Sequence, residues 1–256
     1  MKRVFATLYG LVAYVIFLVA FLYAIGFVGD FLVPKTINSG EVGGTTSSVL
    51  INLALLSLFA LQHSIMARPG FKKWWAHIVP PVIERSTYVL LSSLTLFLLY
   101  WQWQPMPATI WQVESETLRH ILLAIFALGW LIVMLSTFMI NHFDLFGLRQ
   151  VYVYLKRIEP GHIEFKTGML YGLVRHPIML GFLIAFWAEP NMTAGHLLFT
   201  VTTTLYIFVE VHFLEERDLL KLHGETYRNY QKYIPMIIPF TKWKKADGAP
   251  GKPETA

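Results

Sequence analysis

No charged residue interrupts the chain between Arg3 and Asp30. A helix needs about 20 mainly apolar residues to cross about 30 Å of hydrocarbon, and Leu8 to Val28 provides such a run directly after Lys2 and Arg3. That run is longer than the apolar core of a usual secretory signal, so the weakly cleavage-like Ala24-Ile25-Gly26 reads as part of a span. The same feature recurs at Ser48 to Met66, Thr87 to Trp103, Leu118 to Ile140, Ile178 to Ala188 and His196 to Phe213. Tyr100, Trp101 and Trp103 end one of these segments, where an aromatic belt is expected. The last two segments flank Glu189-Pro190-Asn191, and the first of them is too short to cross unaided without tilt or residues added before Pro177. The expected fold is an all-α polytopic membrane protein with five to six transmembrane helices, six favoured. Composition agrees, because 14% of the residues are charged whereas a soluble domain carries about 25%.

The basic residues orient these spans. They concentrate at Lys2 and Arg3, in the loop 67–86 (Arg68, Lys72, Lys73, Arg85), in the loop 141–177 (Arg149, Lys156, Arg157, Lys166, Arg175) and from Arg217 onward. Only Lys35 and Arg119 lie elsewhere. Both termini and every even-numbered loop are thus basic, the positive-inside pattern with both ends in the cytoplasm. A five-span chain with 178–188 re-entrant puts the tail outside and breaks the pattern. Arg68, Lys72 and Lys73 fit this orienting role, with their stems snorkelling along the apolar surface. The net charge of +5 does not point to nucleic acid, since the basic residues sit between apolar runs, where they meet anionic lipid. With no cysteine in the chain, disulfides, thiolate metal sites and Cys nucleophiles are excluded.

A single membrane domain is expected over 1–245, followed by a disordered polar tail, ADGAPGKPETA, at 246–256. Glu215 to Lys232 reads as an amphipathic helix, with Leu219, Leu222, Tyr227 and Tyr230 at helical spacing, Gly224 weakening its centre and Pro235 and Pro239 stopping it. It is expected to cap the cytoplasmic end of the last helix pair.

Two polar clusters stand out against this background. Arg175-His176-Pro177 approaches a helix start: Pro177 suits the first turn and holds His176 in an extended conformation. Free N–H groups and the helix dipole there attract a phosphate or carboxylate. Gly181, just inside that helix, permits close approach of a ligand or of a second helix. The second cluster is Glu210, His212, Glu215 and Glu216, in which His212 stands three and four residues before the last two. On a regular helix that spacing places it beside both. Three roles fit these carboxylates: metal ligands, partners for Arg175 and Arg217, or acceptors for a cationic ligand. No metal site is expected, because clustered histidines of the HxxxH or HxxHH kind do not occur.

GMLYGLVRHPIMLG at 168–181, followed by EVHFLEERDLLKLHGETYRNYQKYIPMIIP at 210–239, resembles the C-terminal signature of the isoprenylcysteine carboxyl methyltransferase-like membrane enzymes. LFALQHSIMARPGFKKWW at 58–75, ERSTYVLLSS at 84–93 and NHFDLFGLRQV at 141–151 resemble more specifically the methanethiol S-methyltransferases among them. Met179 departs from the pattern, since many relatives carry Tyr after the RHP element. The resemblance implies S-adenosylmethionine bound at the cytoplasmic end of the last helix pair. Its carboxylate then falls to Arg175, His176 and the N–H groups near Pro177, its amine and ribose to Glu215 or Glu216, and its adenine to a slot for which Leu173, Tyr206 and Tyr227 are candidates.

The same resemblance implies an acceptor thiol, either small, with methanethiol favoured, or a lipid or prenyl-cysteine. An ordinary thiol is mostly protonated at pH 7, so a base or cation is required near the sulfur. His142 and Asp144 are the leading candidates as a dyad, Arg149 offers a cation, and His63 with Gln62 and Ser64 forms a polar patch within the second span. Glu84 and Arg85 form a candidate pair at the same mouth. The implied location is a bacterial inner membrane with the active site facing the cytoplasm. LQHS at 61–64 also resembles the membrane family that includes the haem-dependent zeta-carotene isomerase and denitrification-associated proteins, in which His63 and an inward His such as His142 would ligate haem. A non-catalytic membrane scaffold is the third reading.

Overall fold

The computed structural model describes residues 1–159 and 165–242, so the tail expected over 246–256 lies outside the described residues. In chain order the elements are α1 (Lys2–Gly29), α2 (Thr45–Ala67), α3 (Pro69–Trp75), α4 (Pro81–Gln102), β1 (Thr109–Gln112), α5 (Glu116–Ile140), α6 (His142–Leu145), α7 (Leu148–Lys156), a 3₁₀ turn (Met169–Gly172), α8 (Pro177–Trp187), β2 (Asn191–Thr193), α9 (Ala194–Glu210), a π turn (Val211–Glu215), α10 (Glu216–His223) and α11 (Glu225–Tyr233). Proline opens α3, α4 and α8, at the position where its missing N–H costs nothing. Ser115 and Thr193 start α5 and α9 by accepting the Leu118 and His196 N–H groups.

Among the described residues, five helices are long and apolar enough to cross a membrane: α1, α2, α4, α5, and the continuous rod from Ala194 to His223. Large apolar side chains such as Leu8, Val12, Val15, Val19 and Leu22 face outward from α1, the surface a lipid-solvated helix presents. The short α8 connects the two ends of the bundle. Its far end leads to β2, which pairs antiparallel with β1 in the α4–α5 connection, with Thr109 opposite Thr193 and Gln112 opposite Asn191. Trp111 Nε1–H donates to Glu189 O at 3.0 Å at this end. The start of α8 lies at the other end, where Tyr171 OH donates to Ser136 O near the close of α5. The sheet adds to the expected all-α fold, and it exists because loop backbone beside hydrocarbon must pair its polar groups.

α8 can be short because it lies directly against α5. A Cβ at Gly181 would stand 2.7 Å from Gly129 O and 2.8 Å from Val133 N, and one at Gly129 would stand 2.6 Å from Ala185 N. Of the two uses expected for Gly181, close helix approach is the one realised. At the sheet end, aromatic packing of Phe27, Tyr100, Trp103, Phe126, Trp130 and Phe199 forms the largest core. The helix expected over 215–232 is divided at Gly224, whose φ of +55° turns the chain between α10 and α11.

Candidate functional site

The two clusters singled out in the sequence meet, but as partners of one another. Arg175 Nε and Nη2 donate to Glu216 Oε1 and Oε2, each at 2.8 Å, and His176 Nε2 lies 2.7 Å from Oε1. Tyr227 OH and Gln231 Nε2 also donate to this carboxylate. Arg175 Nη1 is spent on the Ile234 and Gln231 carbonyls. The backbone completes the clamp: Arg175 and His176 N–H donate to Pro235 O and Met236 O at 2.9 and 3.0 Å. The segment after α11 thereby closes over the start of α8. Arg175, His176, Glu216 and Tyr227 are all buried.

In this geometry the groups expected to divide a bound zwitterion between them are engaged with one another. Glu216 has no oxygen left for an amine, Arg175 has no edge left for a carboxylate, and the Tyr227 ring is enclosed by the cap. A buried bidentate pair is favourable only with such full satisfaction, because desolvating either charge alone costs several kcal/mol. Burial by itself would lower the His176 pKa, but Glu215 and Glu216 outweigh it and raise it to about 9. The corner therefore carries an imidazolium at neutral pH.

Glu215 is the unfinished member. Its Oε2 lies 3.2 Å from His176 Nδ1, yet it is buried without an aligned hydrogen bond. The first N–H groups of α8 also lack a side-chain cap. An acceptor for a cation and a donor set for an anion thus stand side by side. Leu173 is exposed next to them. His212, expected beside Glu215 and Glu216, is turned outward against Phe213. It lies within the π turn, and such turns concentrate at functional sites.

A second polar patch lies on the neighbouring helices. Tyr88 OH sits between the two ring nitrogens of His63, at 3.0 and 2.9 Å, and Ser92 Oγ lies 3.4 Å from Nδ1. The Arg85 guanidinium covers the Tyr88 ring at 5.0 Å and donates to Leu145 O, so its partner is not Glu84 as expected. Tyr206 OH bonds Ser64 Oγ at 3.0 Å, joining α9 to α2. That bond gives Tyr206 a tie between helices.

Arg68 is the residue that sequence reasoning missed. Its Nε donates to Ser64 O, Nη1 to Asp218 Oδ2 at 2.9 Å and Nη2 to Glu210 Oε1 at 3.2 Å. It bridges both sides of the π turn instead of snorkelling outward. Its position at the close of a span masks that role in a sequence, and the charges it meets lie more than 140 residues later.

The expected His142–Asp144 dyad does not form. His142 Nε2 and Nδ1 are each 2.8 Å from Tyr14 OH and Thr137 Oγ1, and its ring stacks on Phe138. Burial lowers its pKa. Asp144 instead accepts from Arg149 and Gln150. Residues two apart diverge on a helical turn, and each has found its own neighbour. His63 and His142 likewise belong to separate networks, so a shared pair of haem ligands is not assembled. Among the described residues no group of three His, Asp or Glu is placed to hold a metal ion.

Fold and site together define a polytopic helical membrane protein with a buried polar corner at one end of its bundle. Residues 51–241 match the family model described as NnrU protein. The chain is 55% identical to the methanethiol S-methyltransferase of Mycobacterium tuberculosis over 94% of its own length and 98% of that protein's. It is 49% identical to the methanethiol S-methyltransferase of Crocosphaera subtropica, with 94% of each chain covered. The chain belongs to the NnrU protein family and to the methanethiol S-methyltransferases. More distantly, it is 32% identical to Nurim of Xenopus laevis over 70% of its length. No solved structure matches it significantly.

Proposed function

We propose that this protein transfers the sulfonium methyl group of S-adenosylmethionine to a small thiol, methanethiol, giving dimethyl sulfide. The observation that carries this reading is the open side of the corner: a partly exposed Glu215, facing the His176 imidazolium at 3.2 Å, beside the uncapped start of α8. Family membership, with relatives named for methanethiol methylation, supports the reaction type. S-adenosylmethionine supplies an electrophilic methyl carbon when bound.

The protein's own residues divide the work of binding. The N–H groups at the start of α8 hold the donor's carboxylate, Glu215 accepts its ammonium, and Leu173 lies against the adenine. Arg175, His176, Glu216 and Tyr227 act one layer behind, fixing the start of α8 and the cap. The patch of His63, Tyr88, Arg85 and Tyr206 adjoins this corner and receives the thiol. Asp144 with Arg149, and His142 with Tyr14, hold the bend after α5. An in-line displacement asks mainly for alignment and charge management. The Ser64–Tyr206 bond closes the α2–α9 seam beside the patch, which suits a small acceptor over a prenylated one. The protein is placed in a bacterial inner membrane with this end toward the cytoplasm, where the donor is dissolved.

Membranes containing the protein, given methyl-labelled S-adenosylmethionine and methanethiol, are expected to release labelled dimethyl sulfide measurable by headspace gas chromatography. Methylation of a prenyl-cysteine without dimethyl sulfide would refute the substrate assignment. A stoichiometric haem absorbance in the purified protein would refute the reaction itself.

A further inference from the structure

The thiol proton needs a destination, and the buried carboxylates supply one. Among the described residues these are Glu189, Glu210 and Glu216. Glu189 lies at the sheet end, where it accepts the Asn191 N–H, across the molecule from the corner. Glu216 is saturated by Arg175, His176, Tyr227 and Gln231. Glu210 differs from both. Its Oε1 is held by Arg68 Nη2 at 3.2 Å, while Oε2 has no hydrogen-bond partner among the described residues.

Its position connects the two halves of the site. Glu210 is the last residue of α9 before the π turn and is 9% exposed. Tyr206, one turn earlier, ties that stretch to Ser64, the neighbour of His63. The charged and titratable groups facing Glu210 are Arg68 beyond α2, Tyr88 on α4, His176 ahead of α8, Tyr206 on its own helix, and Glu215 and Asp218 past the π turn. His176 and Glu215 belong to the donor corner, and Tyr88 and Tyr206 to the acceptor patch.

We infer that Glu210 is the general base of the reaction, with Oε2 taking the thiol proton and Arg68 acting as the positioning residue that holds Oε1. This inference rests on the thiol-methylation reading. In the step the S–H bond breaks and its proton passes to Glu210 Oε2. The thiol sulfur forms a bond to the methyl carbon, and the donor's C–S bond breaks with its electron pair returning to the sulfonium sulfur. The products are dimethyl sulfide, S-adenosylhomocysteine and a protonated Glu210, so atoms and charge balance without an oxidant or metal.

The test compares methanethiol with methaneselenol, which has nearly the same shape but is already ionised at neutral pH. Glu210→Gln should lose at least about 100-fold in kcat for methanethiol, the range expected for a general base. The same variant should keep S-adenosylhomocysteine binding by calorimetry and methylate methaneselenol within a few-fold of the unsubstituted protein. Equal loss on both acceptors with binding intact, or unchanged methanethiol turnover, would overturn the inference. Should Glu210→Gln fail to bind the product, the unsubstituted protein decides the matter. Its kcat/KM for methanethiol should level off with rising pH well below the thiol's own ionisation range, whereas a rise continuing through that range shows use of preformed thiolate and sinks the assignment. Absence of any methanethiol turnover in the unsubstituted protein would instead refute the reading on which the inference rests.

Discussion

Glu216 shows how much one side chain can organise here. It receives two bonds from Arg175 and one each from His176, Tyr227 and Gln231, so α8, α10 and α11 converge on a single carboxylate. Removing it strands a buried guanidinium, and breaking such a pair costs about 3–5 kcal/mol. Glu216→Ala is therefore expected to lower the thermal unfolding midpoint in detergent and to abolish S-adenosylhomocysteine binding together. Replacing both partners at once, with Arg175→Met and Glu216→Leu, should recover part of the stability while binding stays weak, because the guanidinium is no longer stranded although Tyr227 and Gln231 still lose their acceptor. Equal destabilisation in the single and double variants would contradict a buried pair of this kind. The residues themselves were legible in the sequence as opposite charges flanking a helix start. Their mutual pairing was one of three roles the sequence allowed, and it could not be chosen there, since they are 41 positions apart and either could equally have faced a ligand.

At the scale of elements, the contact between α5 and α8 sets the depth of the site. Gly129 and Gly181 let the two backbones approach until a single added carbon would collide with main-chain atoms, the small-residue packing that membrane helices use. Gly181→Val should destabilise by at least about 1–3 kcal/mol, the usual cost of overpacking. Displacing α8 also moves His176, so dimethyl sulfide formation should fall with it. Gly70→Ala in α3, where an added Cβ meets nothing within 4 Å, is the control and should leave unfolding and turnover unchanged. If both variants unfold alike, the contact is not what holds α8. Apolar length revealed the long helices because hydrocarbon thickness fixes their span. It could not reveal the π turn over Val211–Glu215, which no residue spacing announces.

For the whole molecule, the alternation of basic and non-basic loops predicts which end faces the cytoplasm, and the natural lack of cysteine makes this directly measurable. Ile110→Cys at the sheet end and Phe240→Cys at the site end are both exposed positions. A membrane-impermeant maleimide should label Ile110→Cys from outside intact cells and Phe240→Cys only in inverted vesicles. The reverse pattern, or labelling of both from one side, would overturn the assigned orientation.

The sequence alone determined that this chain lives in a membrane, where its apolar helices lie, which loops are basic and which polar residues are too costly to bury without a purpose. These are properties of length, hydropathy and local spacing, and each acts within about 20 residues along the chain. The tertiary structure decided which charges satisfy each other and which are left over. It turned Arg175 and Glu216 into a closed pair, separated His142 from Asp144, drew Arg68 inward to Glu210 and left Glu215 partly exposed beside His176. The physical reason is that a buried polar group must find its partner wherever the fold places one, and helices distant in sequence supply those partners only once they are packed.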